Sequence, residues 1–202
     1  MVALVQNASG QVGMSRIYMI RHGKPASTWG QSSDLDPGLD ELGDEQARKA
    51  RDVLLAAAPA PTRIVSSPLR RCQETARPLA EALGLKVEIE PAFGEIPTPA
   101  HLTLEERPAW LRKAFGGRWS EITGDLDYEE WRANVADALH RYPGAAVFSH
   151  YVAINAAVSV IAGSDLVLGF RPDHCSITTI DLSERGELTL IGRGKEAETQ
   201  VL

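Results

Sequence analysis

Three apolar runs end in residues able to handle a phosphate group. Ile17 to Ile20 runs into Arg21-His22-Gly23, Arg63 to Ser67 is followed by Pro68, Leu69, Arg70 and Arg71, and Ala145 to Ser149 is followed by His150. If these runs are parallel strands of one sheet, their ends converge. Two histidines and two arginines, Arg21 and Arg71, would then share one rim and form a compact positive pocket. Arginine's planar fork matches phosphate oxygens, and helix N-termini after Ser67 and His150 would add N–H groups aimed at the same anion. A neutral imidazole such as His22 can attack phosphorus while the cations offset the charge of the transferring group. Gly23 lets the backbone approach closely. Arg70 is the solvent-facing member of its pair. A thiol route fails on spacing, since position 78, six after Cys72, is Pro, and position 181, six after Cys175, is Asp.

The elements that must position these residues can be read from apolar pattern and punctuation. Ile17 to Ile20, Arg63 to Ser67, Lys86 to Glu90 and Ala145 to Ser149 are strands, and Ser176 to Leu182 and Glu187 to Arg193 look like two final ones. Helices are expected from about Glu41 to Ala58, from Pro68 with Ser67 as its cap, from Asp127 to Pro143, and from about Val152 to Ala162. Thr103 with Glu106 is a capping-box pattern, and Asp127 with Glu130 repeats it. Strands alternating with helices predict an α/β three-layer sandwich: a mostly parallel central sheet, helices on both faces, and a small helical insertion, about 97–127, over the strand ends. Residues 1–15 read as a loosely held tail before a single domain, 16–202.

Composition removes other classes. The chain has 202 residues, 44% hydrophobic, enough for one full core. Its net charge of −6 argues against nucleic-acid or anionic-membrane partners. No apolar run approaches the roughly 18 to 20 residues a membrane span needs. Two cysteines do not make a disulfide framework, and reduced thiols in the cytoplasm are expected. His101, His140 and His174 have no metal-ligand spacing and read as surface or loop residues, His101 being the one inside the insertion. No glycine-rich nucleotide loop or magnesium-binding carboxylate cluster is present, so neither metal nor cofactor is expected. Trp110, Trp119 and Trp131 read as packing of the small lobe.

Four segments, IYMIRHG from Ile17, Asp36 to Ala47, Ile64 to Ala76 and Val147 to Asn155, resemble the histidine phosphatase superfamily, which includes the cofactor-dependent phosphoglycerate mutases, and they occur in that family's order. The resemblance implies that His22 becomes a phosphohistidine and that Arg21, Arg71 and His150 hold the phosphoryl group. It also points to Glu95, in AFGEIPTP, as the acid that protonates the leaving oxygen and later the base for water. Four departures bear on specificity. Thr28 stands where many relatives have Asn, Tyr151 where a small residue is usual, and Asp40 where they have Thr, which suits Asp40 to capping a helix rather than facing an anion. The Gly-x-Trp-Glu-Gly that often follows the acid is replaced by Ile96-Pro97-Thr98-Pro99. Gly23, Thr28 and Tyr151 are the expected substrate contacts. The implied activity is metal-independent hydrolysis of a small phosphomonoester. Mutase-type phosphoryl transfer and a phospho-ligand-binding regulatory protein with little turnover are the alternatives, and oligomeric state is left open, a homodimer included.

Overall fold

Side-chain alternation along the strands builds the molecule. In the computed structural model, which describes residues 13–27 and 34–198, β1 (Met14–Arg21) buries Ile17 and Met19 in one cluster and Tyr18 and Ile20 in another. The period of two thus feeds opposite faces of the sheet. β2 (Arg63–Ser66) and β4 (Ala145–Ser149) do the same, with Val65, Ala145 and Val147 on the first face and Ile64, Ala146 and Phe148 on the second.

The sheet has six strands in the order β3-β2-β4-β1-β5-β6, completed by β3 (Val87–Ile89), β5 (Ile177–Ser183) and β6 (Leu188–Gly192). β3, β2, β4 and β1 are parallel, and β5 runs antiparallel to β1 and to β6. Helices α1 (Glu41–Leu55) and α2 (Arg70–Leu83) cover the face carrying Tyr18 and Ile20, through Leu54, Cys72, Ala76 and Leu79. Helices α4 (Tyr128–Leu139) and α5 (Tyr151–Ile161) cover the other through Val135, Leu139 and the buried apolar residues of α5. The three-layer α/β sandwich is therefore present.

Between Pro97 and Asp127 lie α3 (Arg107–Phe115) and a 3-10 turn (Trp119–Glu121). Leu111 and fully buried Trp119 join the α4–α5 core, and Trp119 meets Trp131 at a ring separation of 6.0 Å, while Trp110 meets Tyr128 at 5.6 Å. These aromatics pack the segment onto the body.

Several boundaries differ from expectation. β1 starts at Met14, pairing Met14 and Ser15 with Ser183 and Leu182, so those two residues belong to the sheet and not to a tail. Helix α2 starts at Arg70, not Pro68, because the free N–H of Arg70 is taken from a distance by both Asp36 carboxylate oxygens, at 2.9 and 3.0 Å. Ser67 stands before the helix and accepts from the N–H of Leu69, the residue ahead of Arg70, at 3.2 Å. The Thr103–Glu106 pair closes a turn just before α3, with Glu106 accepting from Thr103 N at 2.9 Å. Asp127 does cap α4, accepting from Glu129 N and Glu130 N. Asp40 caps α1, accepting from Gly43 N at 2.7 Å, and holds Lys24 Nζ at 2.6 Å.

Candidate active site

The carboxyl ends of β1, β2 and β4 deliver the expected residues to one place. Arg21 is the last residue of β1, in register with Ser149, and His22 N donates to Ser149 O at 3.0 Å. Arg71 comes from the first turn of α2, and His150 is the residue before α5. All four side chains are buried, His150 completely. The His22 and His150 rings lie 5.3 Å apart.

Hydrogen bonds fix the state of each ring. His22 Nδ1 lies 2.8 Å from Gly23 O. A carbonyl only accepts, so Nδ1 carries the proton and Nε2 keeps its lone pair. Arg71 Nη2 lies 3.1 Å from His150 Nδ1, and guanidinium only donates. His150 is therefore unprotonated at Nδ1 and donates from Nε2 to Ser67 Oγ at 2.7 Å. Burial holds both histidines well below the ordinary range, reinforced at His22 by His150, Arg71 and Arg21, and at His150 by Arg71 and Arg21. Both rings are neutral at physiological pH, which leaves the lone pair on His22 Nε2 free.

Arg21 donates from Nη1 to Pro172 O at 3.0 Å, while its buried Nε has no partner. An unpaired buried guanidinium donor next to His22 is a ready site for an acceptor oxygen. Burial lowers its pKa to about 10, partly offset by Glu95, so it stays charged at neutral pH. The group lies 5.0 Å over the Tyr151 ring, which also packs on Phe115 at 5.6 Å. Tyr151 thus walls the site with an aromatic face, and Phe115 brings α3 to that wall. Arg70, by contrast, is 61% exposed and pairs with Glu74 at 2.7 Å, as expected of the solvent-facing arginine.

Glu95 also reaches the site. Its Oε2 lies 3.8 Å from His150 Nδ1, and its Oε1 accepts from Ile96 N at 3.0 Å. Burial raises its carboxyl pKa despite the opposing pull of Arg71 and Arg21. A buried carboxyl that holds its proton more tightly than usual, next to His150, is suited to proton transfer. Gly23 is where backbone meets backbone: a Cβ built there would sit 2.7 Å from Gly43 O. Thr28 lies outside the described residues.

His174 is the site residue that spacing missed. Its Nδ1 lies 3.1 Å from His22 O, and its ring is 5.5 Å from the His22 ring, so the expected surface or loop role gives way to a place beside His22. The available signal was topological. β5 runs antiparallel next to β1, which brings the residues entering β5 to the rim where β1 exits. His101 and His140 are exposed, as expected. Cys72 Sγ sits 3.3 Å behind His150 Nε2, wholly buried and with its thiol pKa raised by that burial, which makes it a packing group. Among the described residues, no three His, Cys, Asp or Glu side chains are grouped to hold a metal ion, and no helix is long and apolar enough to cross a membrane.

Known proteins are similar to this chain in sequence and in fold. The protein named probable phosphoglycerate mutase GpmB of Enterobacter sp. (strain 638) is 29% identical over 85% of this chain and 86% of its own. A glucosyl-3-phosphoglycerate phosphatase of Mycolicibacterium vanbaalenii is 35% identical over 60% of this chain and 55% of its own. Among solved structures, the phosphoserine phosphatase of Entamoeba histolytica in complex with 3-phosphoglyceric acid superposes with a TM-score of 0.70. It is 20% identical, covering 89% of this chain and 96% of that one. The model of the histidine phosphatase superfamily (branch 1) matches residues 17–191, from the first core residue of β1 into β6, and the chain belongs to that superfamily.

Proposed function

We propose that this protein hydrolyses small phosphomonoesters in two steps through a phosphohistidine on His22. The observation that carries the reading is the His22 ring itself: its Nδ1 proton is committed to Gly23 O, which leaves the Nε2 lone pair as the reactive atom between Arg21, Arg71 and His150. In the first step Nε2 forms a bond to phosphorus, the bond to the ester oxygen breaks, and Glu95 supplies the proton that the leaving alkoxide needs. In the second, water attacks phosphorus and gives its proton to Glu95. The N–P bond then breaks, its electron pair returns to Nε2, and phosphate departs. Arg21 and Arg71 carry the charge of the equatorial oxygens in both steps. As phosphate binds, Arg71 Nη2 can exchange His150 Nδ1 for a phosphoryl oxygen.

The substrate is a small phosphorylated metabolite, a class supported by relatives named for glucosyl-3-phosphoglycerate and phosphoserine. Free Cys72 and Cys175 fit the reducing conditions of the cytoplasm. Mutase-type transfer has its own support in the GpmB relative. Hydrolysis is preferred because Thr28 and the Ile96–Pro99 segment replace residues usual in mutases. Incubation with 3-phosphoglycerate separates the two: hydrolysis releases inorganic phosphate, and a mutase makes 2-phosphoglycerate without net release. A panel of phosphomonoesters, run beside His22→Ala, tests the wider reading. Phosphate release that persists undiminished in His22→Ala would overturn it.

A further inference from the structure

The backbone that presents the nucleophile is fully paired. From Arg21 to Lys24 the N–H groups donate in turn to Ser176 O, Ser149 O, Thr75 Oγ1 and Gln46 Oε1. The carbonyls accept from Cys175 N, His174 Nδ1, His22 Nδ1 and Asp40 N. Within this stretch one peptide unit differs from the others. The His22–Gly23 peptide has both of its polar atoms held by side chains of other elements: its oxygen by His174 at 3.1 Å and its N–H by Thr75 at 2.9 Å.

That peptide sits directly before the carbonyl that takes the His22 Nδ1 proton. Its successor pivots on Gly23, a residue whose backbone lacks the restraint a Cβ gives, and Gly43 O leaves no room for one. The direction of Gly23 O therefore has to be fixed from outside: Gln46 Oε1 holds the N–H of its own peptide at 2.9 Å, and the peptide before it must be held as well. Thr75 holds that peptide from α2, where its hydroxyl also donates to Arg71 O at 2.6 Å. His174 does so from the entry to β5. The tautomer of a histidine is set by the hydrogen bond its other nitrogen makes. A Gly23 carbonyl that turns away frees the His22 proton to move to Nε2, and an imidazole protonated there cannot attack phosphorus.

We propose that Thr75 and His174 form a two-sided clamp on the His22–Gly23 peptide, and that this clamp sets the tautomer of His22. Both are positioning residues, acting through the backbone. Thr75 additionally ties the nucleophile's turn to the helical turn bearing Arg71, so one hydroxyl keeps attacking atom and phosphate-holding group in register. Burial keeps the His174 ring neutral, with a pKa pushed down to about 4, and its Nδ1–H donates in either protonation state.

The proposal rests on His22 being the nucleophile, and its test is separable from that reading because ring tautomers can be observed without turnover. The His22 ring nitrogens are followed by long-range proton–nitrogen correlation in the full-length protein, in parallel with p-nitrophenyl phosphate kinetics. Wild type should show one tautomer, protonated at Nδ1. Thr75→Val and His174→Ala should each give a mixture and lower kcat about tenfold, with a smaller change in KM. Thr75→Ser and His174→Asn keep a donor or acceptor in place and should restore both signals. The His174 pair decides the question alone if Thr75→Val does not fold, since the His174 ring is only partly buried. A pure Nδ1–H signal in His174→Ala overturns the clamp, whether kcat falls or holds. A tautomer shift in a protein that releases phosphate from no ester would leave the clamp standing and remove the phosphatase reading instead.

Discussion

In the proposed two-step reaction Glu95 carries the most exacting demand on any single side chain, since it would give a proton in one step and take one in the next. A raised pKa suits the first step, and its proximity to His150 suits both. Its importance should follow the leaving group. Glu95→Gln should lower kcat with an alkyl phosphate by a factor on the order of 10² to 10⁴, the usual scale of general acid catalysis, and much less with p-nitrophenyl phosphate, whose leaving group needs no proton. Equal losses on the two substrates would contradict an acid role. The same residue has a linked effect on stability. Its folded pKa lies above its unfolded one, so its contribution is present below the unfolded pKa and is lost as pH rises through the folded pKa. Glu95→Gln should therefore raise the melting temperature at neutral pH while it lowers activity. Arg21, His22, Arg71 and His150 were legible in the sequence because each stands beside the end of a parallel strand or the start of the following helix. His174 was not, because it enters an antiparallel strand, and the rule that ligands gather at carboxyl ends says nothing of that strand's start.

At the scale of elements, two contacts position the reactive turn. Gly23 and Gly43 let the segment after β1 press against the first turn of α1, and a Cβ at Gly43 would overlap the Lys24 carbonyl oxygen. Because the obstacle is backbone, Gly43→Ala should cost about 1 to 3 kcal/mol in denaturant unfolding and should displace the turn bearing His22. An unchanged midpoint would show that the approach is relaxed more easily than the geometry implies. Asp36 is the second contact, taking the N–H of Arg70 and lying 4.0 Å from the Arg71 guanidinium. Removing that distant cap with Asp36→Ala should lower stability by about 1 kcal/mol, and Asp36→Asn, which retains an acceptor, by less. The segment from Asp36 was recognisable in the sequence, yet its task was not. Ser67 and Pro68 formed a complete local start signal, and only the tertiary fold could bring Asp36, 34 residues away, to override it. Ser67 then serves His150, a partner 83 residues away.

For the molecule as a whole, neutral buried histidines set the response to acid. His22, His150 and His174 are all held below their ordinary range, first by burial and then by neighbouring positive groups. Unfolded, each takes up a proton near pH 6.5, whereas the folded chain resists doing so. The unfolded state thus binds more protons as pH falls from about 6.5, and stability should decline over that range, toward about 4 for His174. Thermal unfolding across that interval should show the decline, and His174→Asn should flatten part of it. A melting temperature independent of pH there would place the histidines outside the balance. The layered architecture behind this behaviour was readable from alternating strands and helices, since each strand's period of two dictates a two-faced sheet. The aromatic wall formed by Tyr151 and Phe115 was only half readable, because the approach of α3 depends on packing between distant segments. The central claim is that phosphorus becomes bonded to His22. The direct measurement is to quench turnover of p-nitrophenyl phosphate in alkali, where phosphohistidine survives, and to map the label by mass spectrometry. One phosphoryl group on the peptide bearing His22, absent from His22→Ala, is the predicted result; continued turnover with no label on that peptide, or label at another residue, would contradict it.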